Sequence, residues 1–282
     1  MQKSGVRLTV FLSLLLVIPG FVAGALAGNY VQNIGEGSVN WTKGVVQGKG
    51  IGAPPEKYYG KPNARPMAIR AAKIVALRNI LETVNGIRVD STTVVKDFAI
   101  QSDTIRSQVE GMVRGAREIN VEYMSDGTVE VIMEISMYGD FSKILLPPAI
   151  MDVPQETPGA APGEAVSSSA VFTGLVVDAR GLGVRPAMAP KVLDETGQEV
   201  YGSAFVSREF AIQQGMSGYA KELESAKQNQ RVTANPLVVK GLRVEGPGQC
   251  DIVISNTDAV RLRNSAADLS FLEKCRVMIV VD

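Results

Sequence analysis

Histidine is absent from this chain of 282 residues. Its absence removes the commonest general base and the commonest transition-metal ligand of proteins. A Ser-His-Asp triad, a Cys-His dyad and a histidine-ligated zinc site are therefore excluded, and an enzyme would have to use carboxylates or lysine. No pattern in the sequence predicts a catalytic residue, a cofactor or a metal ion.

An excess of charge of one sign is also missing, because 29 basic residues balance 29 acidic residues. Without a strong field of one sign, the chain has little to attract nucleic acid or anionic lipid. We expect no nucleic-acid partner.

Cysteine is scarce, and Cys250 and Cys275 are the only two. An even pair in an exported chain is typical of a disulfide. Each precedes an apolar run, "DIVIS" or "RVMIVVD". If these runs are neighbouring parallel strands joined by the helix between them, both cysteines lie at one strand end, where Cα atoms within about 7 Å can be bridged. We predict this disulfide, with two buried free thiols as the alternative.

Residues 1–27 have the layout of a secretory signal peptide: Lys3 and Arg7, a short apolar run, and the small-residue site Ala25-Leu26-Ala27. Cleavage after Ala27 would release a periplasmic or secreted protein with no other segment able to span a membrane. An uncleaved anchor is the alternative, since the segment approaches the roughly 20 residues that cross a bilayer.

Residues 147–169 are rich in proline, glycine, alanine and serine and have no apolar period, which is typical of a linker. They divide the chain into a domain of residues 30–146 and a domain of residues 170–282.

A helix is predicted over 64–86, with Pro66 in its first turn and Gly86 as its stop. Ala68, Ala72 and Ala76 recur every four residues, so this face can approach a sheet closely. We interpret the helix as the packing spine of the first domain.

Around this helix we expect a strand in 38–52, a second in 87–100, a helix that Ser102 caps, and a hairpin turning at Asp126-Gly127. Strict alternation over 129–137 predicts the last strand. The predicted fold class is α+β: a small antiparallel sheet covered by one long helix, followed by a second mixed α/β domain. In the second domain, residues 194–198 indicate a turn between short strands, and the chain ends in strand, helix and parallel strand.

Several blocks of the first domain, "GKGIGAPP", "AIRAAKIVALRNILETVNGIRVDSTTVVKDF", "SDTIRSQVEGMVRGA" and "DGTVEVIMEISMYG", resemble the twenty-kilodalton lipoprotein family of bacterial envelopes. The N-terminal domain of flagellar assembly protein T is similar. The resemblance covers about residues 38–140 and implies an envelope-facing domain used for association, with no catalytic residues. Family members are often lipoproteins, whereas this chain has no leader cysteine.

Two segments are candidate ligand sites. Asp178, Arg180 and Arg185 surround two glycines after a strand, where guanidinium groups could bind a carboxylate or phosphate; a solvated glycine turn is the alternative. Asn256 and Asp258 follow a strand and open a helix, the end at which open α/β sheets bind ligands, although helix capping also explains them. "GKGIG" does not open into a helix and indicates close backbone contact instead of a phosphate loop.

The leading hypothesis is a non-enzymatic envelope protein that associates with other envelope proteins, for example in assembling or stabilising a surface structure such as the flagellar base. The alternative is a binding module for cell-wall glycan, such as peptidoglycan, or a small anionic ligand. A hydrolase using Asp178, Asp194 or Glu195 is a third, weaker hypothesis, because nothing in their spacing singles them out.

Overall fold

A computed structural model of the protein describes residues 28–147, 150, 172–264 and 270–282. The predicted signal peptide and almost all of the predicted linker lie outside the described residues. The described chain has an α+β fold in two parts, each built on its own sheet, and this confirms the predicted fold class.

The first part contains an antiparallel sheet with strand order β1-β2-β3-β5-β4. Its strands are β1 Val31–Ile34, β2 Gly37–Asn40, β3 Val45–Gly52, β4 Arg117–Tyr123 and β5 Val129–Ser136. Its helices are α1 Ala64–Asn85, α2 Val95–Gln101, α3 Asp103–Arg114 and α4 Asp140–Leu145. Strand β5 alternates between buried and partly exposed residues as the sequence predicted, and Gly127 turns the β4–β5 hairpin at φ 85°.

Helix α1 covers one face of this sheet and matches the predicted spine. Ala68, Ala72 and Ala76 are fully buried. They face β3, whose Gly48, Gly50 and Gly52 present no side chain to the helix. Alanine on the helix and glycine on the strand therefore bring the two backbones into contact, which confirms close backbone contact for "GKGIG".

The predicted strand over 87–100 is wrong, because this segment forms a turn and then α2. Asp90 Oδ1 accepts hydrogen bonds from the backbone N–H groups of Thr92 and Thr93, at 2.8 and 2.9 Å. Asp97 Oδ2 then accepts from the backbone of Val94 at 2.9 Å at the start of α2. Correctly spaced aspartates thus outweigh the strand preference of β-branched residues. The next helix, α3, begins as predicted, with Ser102 Oγ accepting from Ile105 N.

The second part contains a mixed sheet with strand order β8-β7-β11-β10-β6-β12-β9. Its strands are β6 Gly174–Asp178, β7 Val192–Leu193, β8 Glu199–Tyr201, β9 Gly218–Ala220, β10 Pro236–Glu245, β11 Asp251–Ile254 and β12 Val277–Val280. Its helices are α5 Arg208–Gln214, α6 Leu223–Lys227, α7 Asn256–Asn264 and α8 Ser270–Glu273. The predicted turn at 194–198 joins β7 to β8, which pair antiparallel.

The expected parallel pairing of β11 with β12 is wrong. β10 and β6 lie between them, and β11 runs antiparallel to β10, while β10, β6 and β12 are parallel. Residues 246–250 form too short a connection for a parallel crossover, so β10 and β11 make a hairpin. Cys250 consequently lies beside the carboxyl end of β10 and Cys275 beside the amino end of β12, not at one shared strand end.

The two parts pack directly on each other. The single tryptophan, Trp41, meets Tyr219 edge to face, with ring centroids 5.5 Å apart. Thr42 Oγ1 donates to the backbone oxygen of Tyr219 at 2.9 Å. At a second point, the backbone nitrogens of Met188 and Ala189 donate to the oxygens of Arg88 and Val89. One continuous cluster of buried hydrophobic side chains spans both sheets. Among the described residues, no helix has the length and apolarity needed to cross a membrane.

Candidate functional site

The loop after β6 brings Asp178 and Arg180 together but leaves Arg185 apart. Arg180 donates from Nε and Nη2 to the two carboxylate oxygens of Asp178, at 2.8 and 2.6 Å. These hydrogen bonds hold the pKa of Asp178 below its usual range. The guanidinium fork that would grip an anion is therefore already occupied by a carboxylate of the same chain. The Arg185 side chain remains exposed.

Asn256 and Asp258 are used by the fold at the start of α7. Asp258 exchanges hydrogen bonds with Ser255: its backbone N–H donates to Ser255 Oγ at 3.0 Å, and that hydroxyl donates to Asp258 Oδ2 at 2.9 Å. Asn256 is linked to Glu195 of the β7–β8 turn by two hydrogen bonds. The backbone N–H of Glu195 donates to Asn256 Oδ1, and the backbone N–H of Asn256 donates to Glu195 Oε2. Capping and turn docking account for both side chains.

Asp194 is nearly inaccessible and paired with Arg263, whose Nη2 donates to Oδ2 at 2.8 Å. Burial alone would raise its pKa, but hydrogen bonds from Thr196, Arg263 and Gln198 outweigh burial and lower the pKa to about 2. A carboxyl group that acts as a general acid near neutral pH needs the opposite shift. The arrangement therefore suits a structural role for Asp194.

Cys250 and Cys275 are both buried and free. Burial raises the pKa of each thiol to about 12, so very little reactive thiolate forms at neutral pH. Their placement beside different strand ends disfavours the predicted bond between them. Within the described ranges, no group of three or more Cys, Asp or Glu residues could hold a metal ion.

An open cleft lies elsewhere, between residues 54–65 and the β4–β5 hairpin. This cationic cleft has a volume of about 600 Å³, and its lining includes Tyr59, Lys61, Arg65, Tyr123, Met124 and Asp126. The two tyrosine side chains are 58% and 53% exposed. An aromatic surface this accessible is available for contact with another molecule.

Tyrosine rings orient the cations in and beside the cleft. Arg65 lies over the ring of Tyr123, with its Cζ atom 4.7 Å from the centroid. The ammonium groups of Lys57 and Lys61 lie 5.0 and 5.6 Å from the ring centroid of Tyr58. Cation–π attraction favours these positions. In the described part of the chain, no carboxylate oxygen lies within 4.0 Å of these three cations.

The cleft has one acid in its lining, and the β4–β5 turn already uses it. Asp126 Oδ1 accepts hydrogen bonds from the backbone and hydroxyl of Thr128, at 2.9 and 2.7 Å. On the opposite side of the cleft α1 begins at Ala64, so the positive end of the helix dipole faces this region. The first turn of α1 has no acidic residue that would offset this positive charge. The local charge favours an anionic partner.

Residues 174–282 match the family model described as Treponema pallidum Tp0624, second domain. This Tp0624-like part begins with β6 and contains the whole second sheet. No curated protein matches the chain. The cationic cleft lies outside the Tp0624-like part, in the preceding residues that the family model does not cover.

The cleft residues were not among the predicted sites, although the segment "PPEKYYGKPNARP" has a composition that could have indicated them. Lysine, arginine and tyrosine are interleaved there in a segment held by proline and glycine, a composition suited to an exposed binding loop. Sequence could not show that Tyr123, more than fifty residues later, lies beneath Arg65.

Proposed function

We propose that this protein is a non-enzymatic, exported bacterial envelope protein whose first part associates with other envelope proteins, as in assembly or stabilisation of a surface structure such as the flagellar base. The leader-like residues 1–27 and the resemblance over 38–140 support the compartment. The match to a treponemal domain supports a bacterial source. The observation that carries the association role is the cationic cleft.

The cleft has the composition of a protein contact site. Tyrosine, methionine and arginine are enriched in protein interfaces, and tyrosine and arginine often dominate the binding energy. Arg65 is already held against Tyr123, so binding a partner would cost less side-chain entropy than ordering a free arginine.

Photo-crosslinking in intact cells tests the proposal. The full chain with its leader would carry a photoreactive amino acid at Met124 in the cleft or, as a control, at Arg78 on the exposed side of α1. We expect the chain in the envelope fraction and a discrete protein adduct from position 124, identified by mass spectrometry, with none from position 78. A cytoplasmic chain, or the same adducts from both positions, would contradict the proposal.

Glycan or small-anion binding is the second candidate, and the exposed guanidinium of Arg185 is the observation that favours it. A pull-down with purified peptidoglycan tests it. Retention that Arg185→Ala abolishes would support this site, whereas equal retention of wild type and variant would remove it.

A further inference from the structure

We infer that the cationic cleft and the adjoining half of β4 bind an extended segment of a partner protein that carries acidic residues at one end. The inference rests on the association function proposed above and adds the chemistry of the partner. Two independent features of the structure support it: cations that lie on tyrosine rings with no carboxylate partner among the described residues, and the edge of a sheet.

The cations determine the charge of the occupant. Lys57, Lys61 and Arg65 have no carboxylate partner in the described structure, and Asp126 is already hydrogen-bonded within its turn. An arginine guanidinium binds a carboxylate through two parallel hydrogen bonds, and lysine adds a point charge. Glutamate or aspartate side chains entering the cleft would supply the missing partners.

The sheet edge distinguishes a peptide from a glycan. β4 is the edge strand of the described sheet, and six of its seven residues are exposed. Such an edge presents unpaired backbone N–H and C=O groups, which an extended peptide can pair with. The strand ends at Tyr123, in the wall of the cleft, so one straight peptide could pair with β4 and continue into the cleft. A glycan lacks the regular amide spacing of a strand.

A bulge limits where pairing can occur. The β4–β5 register shifts between Glu118 and Asn120, and bulges interrupt strand pairing. Pairing should therefore be confined to Asn120–Tyr123, the end nearest the cleft. Glu118 and Glu122 carry negative charge along this edge, although Lys73 pairs with Glu118 at 2.8 Å. Acids are consequently favoured at the end of the peptide that enters the cleft, not along its paired part.

Fluorescence anisotropy with purified mature protein tests this site. The probes are two labelled decapeptides, each with six alternating Thr and Val residues and four Glu residues. The Glu residues stand at the amino end of one probe and at the carboxyl end of the other, so that parallel and antiparallel pairing with β4 are both tested. Matched probes carry Gln in place of Glu. We expect saturable binding of one Glu probe, weakened about tenfold or more by the Gln replacement and by raised salt.

Two double variants separate a specific site from general attraction. Lys61→Gln with Arg65→Gln should weaken binding about tenfold, whereas Lys43→Gln with Arg78→Gln should change it less than about twofold. All four side chains are exposed, so folding should survive, and circular dichroism checks it. Equal effects of the two doubles, or no saturable binding of any Glu probe, would overturn the inference.

A separate experiment with N-methylated peptides tests the backbone pairing with β4. Methylating the amide nitrogens along one edge of the peptide should abolish binding, while methylating the other edge should not. Unchanged binding of both methylated probes would overturn the pairing with β4. Cleft-dependent binding of soluble peptidoglycan fragments without peptide binding would also overturn the inference in favour of a glycan.

The photo-crosslinking experiment in intact cells distinguishes failure of this inference from failure of the proposed function. A protein adduct at position 124 that persists in the Lys61→Gln, Arg65→Gln chain would leave the association function standing and remove the acidic peptide. No adduct, with the chain in the cytoplasm, would remove both.

Discussion

Gly50 of β3 lies directly against Ala72 of α1, so closely that a Cβ atom on residue 50 would overlap the Ala72 carbonyl oxygen. Gly48 meets Ala76 in the same way, since an added Cβ would lie 2.7 Å from that carbonyl oxygen. The separation of helix and sheet in the first part is therefore set by the glycines at the helix-facing positions of β3, which have no side chain.

Replacing Gly50 with alanine should destabilise the protein. The added methyl group meets backbone atoms of α1, which cannot move as a side chain can, and overpacking of this kind costs about 1–3 kcal/mol or more. We expect a lower urea midpoint with an unchanged slope. Wild-type stability of the variant would show that α1 can move away from the sheet.

Gly111→Ala is the matched control for this substitution. Gly111 lies inside α3, and a Cβ there would meet nothing within 4 Å. Alanine should therefore raise the free energy of unfolding by about 0.5–1 kcal/mol, because glycine is costly within a helix. The opposite signs at positions 50 and 111 distinguish steric overlap from a general effect of added methyl groups.

Asp194 should make stability depend on acid pH. Its folded-state pKa of about 2 lies below its ordinary value of 3.8, so its contribution is fully present above about pH 3.8 and is lost as pH falls towards 2. The difference in unfolding free energy between wild type and Asp194→Asn should shrink over this window. Urea titrations at stepped pH measure it, and a constant difference would contradict the assigned pKa.

The cysteines should titrate as two shielded free thiols. Burial and the pKa of about 12 predict slow alkylation of native protein by iodoacetamide at pH 8. Unfolding without a reductant should expose both, giving two adducts by mass spectrometry. If the unfolded chain takes up none until it is reduced, the disulfide predicted from sequence is present after all.

Tyr219 should couple the unfolding of the two parts. It is 1% exposed, packs on Trp41, and its hydroxyl donates to the Ala187 oxygen at 2.9 Å. Tyr219→Ala should lower the free energy of unfolding by about 3–5 kcal/mol by analogy with other large aromatic truncations, and Tyr219→Phe by about 1–3 kcal/mol because of the unsatisfied backbone groups.

In wild type, Trp41 fluorescence and far-ultraviolet circular dichroism should change in one transition. Two separate transitions would show that the parts unfold independently.

Local patterns predicted much of the first part. The alanine spacing, Ser102 and Asp126-Gly127 each act within a few residues of the chain, so α1, the start of α3 and the β4–β5 hairpin could be read directly. The wrong prediction of a strand over 87–100 also arose from interactions between residues close in sequence. The β-branched residues there suggested a strand, but Asp90 and Asp97 accept hydrogen bonds that form a turn and the start of a helix.

The sequence by itself determined the α+β class, the alternation of β5 and the exclusion of histidine chemistry, because composition and periodicity are properties of the chain alone. Only the tertiary structure decided the strand order that separates Cys250 from Cys275 and the meeting of Arg65 with Tyr123. Those relationships depend on which distant segments pack into the same core. The hydrophobic effect is non-directional, so many alternative strand pairings would bury similar apolar area until the whole sheet is packed.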